Sequence, residues 1–475
     1  MGSDVIAGAE PALVIAGERV AAATTFAVHD PATGALVAEA PDASRAQLDD
    51  AFAAAAAAQP GWAADPGARR AALLGAVGAL LGAVDRLAPL LTAEQGKPLA
   101  QARDEVQGAA WWIAQHAKIA LEPEVIRDDD RAHVTVRRVP VGVVAAITPW
   151  NFPLLLAAWK LGPALSTGNA VVLKPSPYTP LSTLAMVEIL AAHLPPGVLS
   201  AVSGGNDLGA WMTAHPVPRK VSFTGSIATG KAIAAAVADD LKHVTLELGG
   251  NDAAVVLDDA DPAAVARGIV EASFLNAGQV CCAVKRVYVP ASLEAALVDA
   301  LADRVAALRV GPGTEEGVDV GPVSNAPQLE RVAGLVGAAL RDGAEAVVGG
   351  SRLAGGGLFH APTLLRGARD GMAIVDEEQF GPALPVIAYR DEDAAIAAAN
   401  GTRYGLDGSV WSADPERAEA VAARLECGTT WINTHLANHP YQPFGGTKWS
   451  GLGTENGRWG LESFTEVRVT HRAVA

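Results

Sequence analysis

"VGVVAAITPWNFPLLLAAWKLGPALSTGNAVVLK", residues 141–174, sets two apolar runs either side of a helix-length segment. The first run, "VGVVAAIT" (141–148), has no charge and no alternation, the pattern of a strand buried on both faces. The second, "AVVLKP" (170–175), repeats it, and 153–167 between them is long enough for a crossover helix. Strand, helix and strand in that spacing read as a βαβ unit, whose strands are parallel. The rhythm continues through "VLSAVSGG" (198–205), "KVSFTGS" (220–226) and "HVTLELGG" (243–250), with helix-length segments at 181–193 and 227–240. After residue 250 it restarts with "AAVVLDD", a helix at 262–276, "RVYVP" and a helix at 293–308. The pattern predicts two α/β domains with parallel sheets covered on both faces, divided near residue 250.

Working outward, residues 50–118 read as helices, Ala-rich with charges on one face, and "HVTVRRV" from 133 alternates like a strand. The 475 residues suffice for two or three domains and a large core. A net charge of −16 with no Lys/Arg cluster argues against a nucleic-acid surface. The N-terminal "MGSDVIAGAEPALVIAG" has neither a basic start nor a long apolar run, so no signal peptide is expected. The most apolar stretches, 71–84 and 141–148, are too short to span a bilayer. A cytoplasmic protein with no membrane partner is expected. Three cysteines make no disulfide framework, and neighbouring Cα atoms about 3.8 Å apart would strain a Cys281–Cys282 bridge. Without CxxC or HExxH spacing, no metal is expected.

Several residues invite a chemical reading, each with a plainer one beside it. "FTGSIATG" (223–230) follows a strand and opens a helix, which suits a phosphate at the helix N-terminus or a mere connection. Lys174 follows a buried strand, where α/β ligands bind, or is a solvated strand end. Glu247 lies among Val244, Leu246 and Leu248, either buried as a base of raised pKa or facing out from an edge strand. Cys281, in "FLNAGQVCCAVKR" (274–286), is an activated nucleophile or an inert small hydrophobe.

"TPWNFP" (148–153), "VVLKPSP" (171–177), "FTGS" (223–226), "LELGGN" (246–251), "NAGQVCC" (276–282), "EEQFGP" (377–382) and "PFGGTKWSGLGTE" (443–455) occur in this order. Together they closely resemble the NAD(P)-dependent aldehyde dehydrogenase superfamily, over nearly the whole chain from about residue 12. The resemblance implies a Rossmann-like dinucleotide-binding domain at 1–118 and 141–249, an α/β catalytic domain at 250–449, and a small β oligomerisation flap at 119–140 and 464–475. It implies Cys281 as nucleophile, with Cys282 pointing elsewhere. Glu247 is implied as the base that activates water, and Asn151 as the oxyanion donor together with the Cys281 backbone N–H. Lys160 and Glu455 match a pair implicated in relaying the base's proton. NAD or NADP is the implied cofactor, held by Thr148, Trp150, Lys174, Ser176, Pro177, Gly225, Ser226, Glu378 and Phe380. NAD-preferring members often carry Glu where this chain has Pro177, which opens the site to NADP.

For the substrate, Trp159 stands where succinate-semialdehyde members carry Arg, and with Phe152 and Leu275 it suggests an apolar or aromatic wall; core packing is the plainer reading of all three. The loop at 434–442 should cap the tunnel, supplying His435, Asn438, His439 and Tyr441, and a protonated His435 or His439 could supply charge there. The flap segments lack a partner inside either main domain, so a homodimer or homotetramer is expected. The leading expectation is oxidation of an apolar, aromatic or medium-chain aldehyde to the acid. A CoA-acylating dehydrogenase and a thiol esterase on the same fold are the alternatives. Glu247 argues against the first of these, and dominant cofactor-free esterase activity would favour the second.

Overall fold

The computed structural model describes residues 10–474. The first nine residues and Ala475, which the domain ranges and the leader reading include, lie outside the described residues. Two sheets form the frame. The first holds eight strands in the spatial order Gly451–Leu452, His243–Glu247, Lys220–Thr224, Val143–Ile147, Ala170–Lys174, Leu199–Ala201, Leu13–Ile15, Glu18–Val20. The five strands from His243–Glu247 to Leu199–Ala201 are parallel, and the pairings outside them are antiparallel. Val143–Ile147, Ala170–Lys174 and Lys220–Thr224 are buried at every position, which is why their sequences run apolar without alternation.

The second sheet has seven strands, in the order Glu345–Val348, Thr363–Arg366, Ala383–Tyr389, Val284–Pro290, Asp252–Val256, Asp407–Trp411, Thr429–Ile432. Only the first pairing is antiparallel. The chain passes from the first sheet to the second between Glu247 and Asp252, then returns to the first at Gly451–Leu452.

The helical stretch predicted over 50–118 is four helices: Arg45–Ala64, Pro66–Gly82, Val84–Gln95 and Leu99–His116. Ser44 and Gln47 cap the first reciprocally, and Asp65 caps the second. Among the described residues no single helix is long and apolar enough to cross a membrane. The flap strands Glu124–Asp128, Ala132–Pro140 and Thr465–Ala473 form a separate antiparallel sheet. The two flap segments, expected to lack a partner within either main domain, pair with each other. The helix expected at 262–276 stops at Phe274, because Asn276 and Ala277 adopt left-handed backbone with φ of 50° and 57°. Asn276 departs from helical geometry because its side chain is tied to distant elements, as described next.

Candidate active site

The loop carrying Cys281 is built before Cys281 itself. Asn276 Nδ2 donates to the Asn151 carbonyl at 2.8 Å, and Gln95 Nε2 donates to Asn276 Oδ1 at 3.1 Å. These bonds hold a conformation that a non-glycine residue adopts only at a cost of about 1–3 kcal/mol. Gly278 turns at φ +72°, and a Cβ there would fall 2.3 Å from the Gly381 carbonyl oxygen. Gln279 then ties the loop to Ser324 N–H at 2.8 Å through its side chain, and its carbonyl accepts from Asn151 Nδ2 at 2.9 Å. Asn151 and the Cys281 loop are thus one hydrogen-bonded unit.

Cys281 is half-buried at the end of this unit, and all three cysteines are free thiols. Its thiol is held below the ordinary range, first by the neighbouring Cys282 thiol and then, against the cost of burial, by the Lys285 ammonium. Cys282 is buried, and its own pKa is pushed up by the neighbouring Cys281 thiol and by burial. The two cysteines share a turn closed by the Ala283 N–H to Val280 carbonyl bond at 3.2 Å.

Glu247 ends the His243–Glu247 strand. The strand is not an edge, since Gly451–Leu452 pairs beyond it. The carboxylate is buried and both oxygens lack a hydrogen-bond partner among the described residues. Burial is the main cause of its raised pKa, followed by the repulsion of Glu455, while Lys160 opposes. Cys281 also contributes, which places the two groups in one electrostatic site. Lys160 and Glu455 are paired at 2.7 Å and fully buried, and Lys160 also donates to Thr224 Oγ1 at 2.8 Å.

The nucleotide-side residues occupy the strand ends. Thr148 Oγ1 is buried without a partner among the described residues. Lys174 is 4% exposed, so it is not a solvated strand end. Among the described residues its Nζ reaches only the Pro175 carbonyl, at 3.3 Å, and burial lowers its pKa to about 8. Ser176 is buried and Pro177 half-buried beside it. Gly225 donates its N–H to the Glu247 carbonyl, and Ser226 caps the Ile227–Val237 helix by accepting from Thr229 N–H. A Cβ on Gly225 would strike the Phe223 ring, and one on Gly249 would strike the Glu378 carboxylate. Phe380 sits at φ +51° and meets Trp150 edge-on at 5.4 Å. A lysine in search of acceptors, an orphan hydroxyl and glycine-lined backbone at a helix N-terminus fit a dinucleotide.

Trp159 is buried, stacked on Trp112 at 5.5 Å and edge-on to Phe444 at 5.0 Å. Phe152, Leu275 and Cys281 pack against the same apolar cluster, which also holds Trp431. Leu275 and His435 also line a separate surface cavity of about 740 Å³. His435 Nε2 lies 2.8 Å from the Cys282 carbonyl oxygen. Its burial lowers the pKa to about 3, so His435 is neutral and brings no charge to the tunnel, contrary to the possibility raised by its position. Asn438 Nδ2 reaches Cys282 Sγ at 3.8 Å, and His439 stacks on Tyr441 at 5.1 Å.

Sequence reasoning missed Lys97, Glu105, Trp112, Phe444 and Lys285 as individual groups. Buried Lys97 pairs with Glu105 and donates to the Asn151 carbonyl at 2.8 Å. Glu105 accepts from the N–H groups of Leu154 and Leu155, at the start of the Pro153–Ser166 helix. The pair therefore fixes the loop that carries Asn151. Lys97 precedes the Leu99–His116 helix and Glu105 lies eight positions further on, within it, so nothing local marks them as a pair.

The aldehyde dehydrogenase family model matches residues 19–470. An aldehyde dehydrogenase from Brucella melitensis biovar abortus is 38% identical, with a TM-score of 0.95 and 98% of each chain covered. An Escherichia coli NADP-dependent enzyme is 36% identical, with the same TM-score and 98% of each chain covered. The NAD+ complex of an aldehyde dehydrogenase from Bacillus cereus is 34% identical, at a TM-score of 0.95, covering 98% of this chain and 97% of that one.

Proposed function

The chain belongs to the aldehyde dehydrogenase family, and from that premise we propose that it oxidises an apolar, aromatic or medium-chain aldehyde to the carboxylic acid with hydrolytic release. The observation that supports this most is Glu247: a buried carboxylate of raised pKa, unpartnered and within the field of the Cys281 thiol. Such a group serves as a base for water and has no use in transfer to CoA.

In this reading the Cys281 thiolate attacks the carbonyl carbon, forming the C–S bond of a thiohemiacetal. Asn151 Nδ2 keeps one N–H for Gln279 and has a second for the developing oxyanion, beside the Cys281 backbone N–H. The thioester forms when the thiohemiacetal carbon loses its hydride, for which NAD(P)+, when bound, would be the acceptor. Glu247 then takes a proton from water as the water attacks the thioester, and the Cys281 thiolate leaves with the C–S electron pair. Lys160 and Glu455, a buried pair whose charges act on Glu247, are the residues that would relay that proton. Thr148, Trp150, Lys174, Ser176, Gly225, Ser226, Glu378 and Phe380 are the residues that would hold the dinucleotide.

The substrate class rests on the cluster around Trp159. Each CH₂ buried there contributes about 0.8 kcal/mol. Phe152 and Leu275 extend the wall, neutral His435 offers no counter-charge, and Asn438 is engaged with Cys282. A desolvated carboxylate left unpaired costs several kcal/mol. Benzaldehyde and hexanal are expected to show higher kcat/KM than succinate semialdehyde, in an aldehyde panel followed by reduced-nicotinamide absorbance with NAD and with NADP. Equal or greater kcat/KM for succinate semialdehyde would overturn the substrate reading.

The cofactor expectation rests on Pro177. A carboxylate at that position would repel a 2′-phosphate, and proline cannot. Both cofactors should serve, with a preference below about a hundredfold, which is about 2.7 kcal/mol. Pro177→Glu should shift the ratio toward NAD. A wild-type preference for NAD above that bound would show that another group excludes the phosphate.

We also infer a cytoplasmic homo-oligomer. The flap leaves Val125, Ile126, Val467 and Val469 more than half exposed along its strands, an apolar edge of the kind a second copy covers.

A further inference from the structure

Lys285 lies four residues past Cys281, on the Val284–Pro290 strand, with its side chain 2% exposed. A buried ammonium is costly unless acceptors and opposite charge surround it. Its Nζ donates to the Cys281 carbonyl oxygen. It also lies 3.7 Å from Glu378 Oε1. The same Glu378 oxygen accepts from the Gly250 N–H at 3.1 Å. Gly250 passes so close that a Cβ there would fall 2.5 Å from the Cys281 carbonyl oxygen. Cys281, Lys285, Glu378 and Gly250 therefore close a ring behind the thiol.

Other charges face this ring from every neighbouring element. Asp252 and Asp407 come from adjacent strands of the second sheet, both buried and joined by a bond from Asp407 N–H to Asp252 Oδ1 at 3.2 Å. Burial raises the pKa of both, to about 7 for Asp252. Arg286 turns the other way, to the carbonyls of Asn251 and Ala399. Arg331 reaches the Glu378 carbonyl from the Ala326–Arg341 helix. Cys282 stands beside Cys281, Cys427 feels both aspartates, and His435 is neutral. An ammonium placed only to neutralise the aspartates would hydrogen-bond to them. Its close contacts are instead the Cys281 carbonyl and Glu378.

We propose that Lys285 is a positioning residue for the nucleophile: it holds the Cys281 carbonyl, sets its charge beside the thiolate, and shares that charge with Glu378. The reactivity of Cys281 then depends on what the Glu378 carboxylate is doing. A ligand that draws Glu378 away leaves more of the Lys285 charge to the thiolate. Removing Lys285 takes away the positive charge beside the thiol and leaves Glu378 without its cation. The inference rests on the proposed role of Cys281.

The test is the rate of iodoacetamide alkylation across pH, on the full chain without aldehyde or cofactor, with adducts located by mass spectrometry. Lys285→Met should raise the midpoint of Cys281 alkylation by about one pH unit, making it about tenfold slower near neutrality. Lys285→Arg keeps the charge and should stay within about twofold of wild type. Glu378→Gln should lower the midpoint, because it removes a negative charge and frees the ammonium. That opposite movement does not follow from a structural role, and it carries the test if Lys285→Met does not fold. A folded Lys285→Met with an unmoved midpoint, or Glu378→Gln with an unmoved or raised one, overturns the proposal. Adducts on Cys282 or Cys427 with Cys281 untouched would instead overturn the assignment of the nucleophile.

Discussion

Cys281→Ala is expected to lower kcat for aldehyde oxidation by more than about a thousandfold, since the neighbouring thiol, Cys282, is buried with its pKa pushed up and makes a poor nucleophile. Cys282→Ala should keep most of the turnover, because that thiol is buried and its pKa is pushed up. It should still leave a mark. The Cys282 thiol is the largest influence holding Cys281 below its ordinary range. Its loss should move the thiol's ionisation, and with it the rise of activity, to higher pH. Cys427→Ala should change neither quantity strongly, since Cys427 donates to the Thr429 carbonyl and burial raises its pKa. Steady-state rates of the three variants across pH decide the matter. Turnover in Cys281→Ala comparable to wild type would end the assignment.

Glu247→Gln should reduce kcat by about a hundred- to ten-thousandfold, the range removed with a positioned base. Thioester formation should survive, so one equivalent of NAD(P)H per active site should appear in a burst before a slow steady state. Stopped-flow absorbance reads both phases. The pH dependence has a definite sign. Burial and then Glu455 raise the Glu247 pKa, and only the ionised form can accept water's proton. Steady-state turnover should therefore fall as pH drops through that raised value, and the glutamine variant should lose this limb. Unchanged steady-state turnover would remove Glu247 from the mechanism. Loss of the burst along with turnover would show that Glu247 also ionises Cys281.

The two residues were legible in sequence to different depths. Cys281 and Glu247 were named because seven motifs fell in register, and neither residue was decided by its own neighbours. The burial of Glu247 followed from tertiary context: a short returning strand, Gly451–Leu452, covers what would otherwise be the sheet edge. Lys174 is similar, a strand-end lysine whose exposure depended on the residues packed over it.

The strands and helices of the βαβ rhythm between residues 141 and 308 were readable from the sequence, whereas the N-terminal strands from Leu13 to Asp42 and the elements from Ala326 to Ile432 were not. Apolar runs such as "VGVVAAIT" and "AVVLK" without alternation fit burial on both faces, which, with helix-length segments between them, points to parallel strands covered by helices. This is a short-range property, written in the periodicity of a few consecutive side chains. The supports of the site are different in kind. Gln95 and Asn276 are 181 positions apart, and their bond both ends a helix two residues early and aims the Cys281 loop. Lys97 and Glu105 look like ordinary surface charges until the fold buries them against Asn151. The charge state of His435 and the company of Lys285 were likewise decided by burial and by carboxylates from other strands. The sequence carried the βαβ rhythm and the order of the motifs, and the resemblance those motifs make supplied the candidate nucleophile, base and oxyanion donor. Only the tertiary structure decided which polar groups lost their water and which distant partners replaced it, because desolvation and long-range pairing belong to the packed assembly of elements and leave no local pattern.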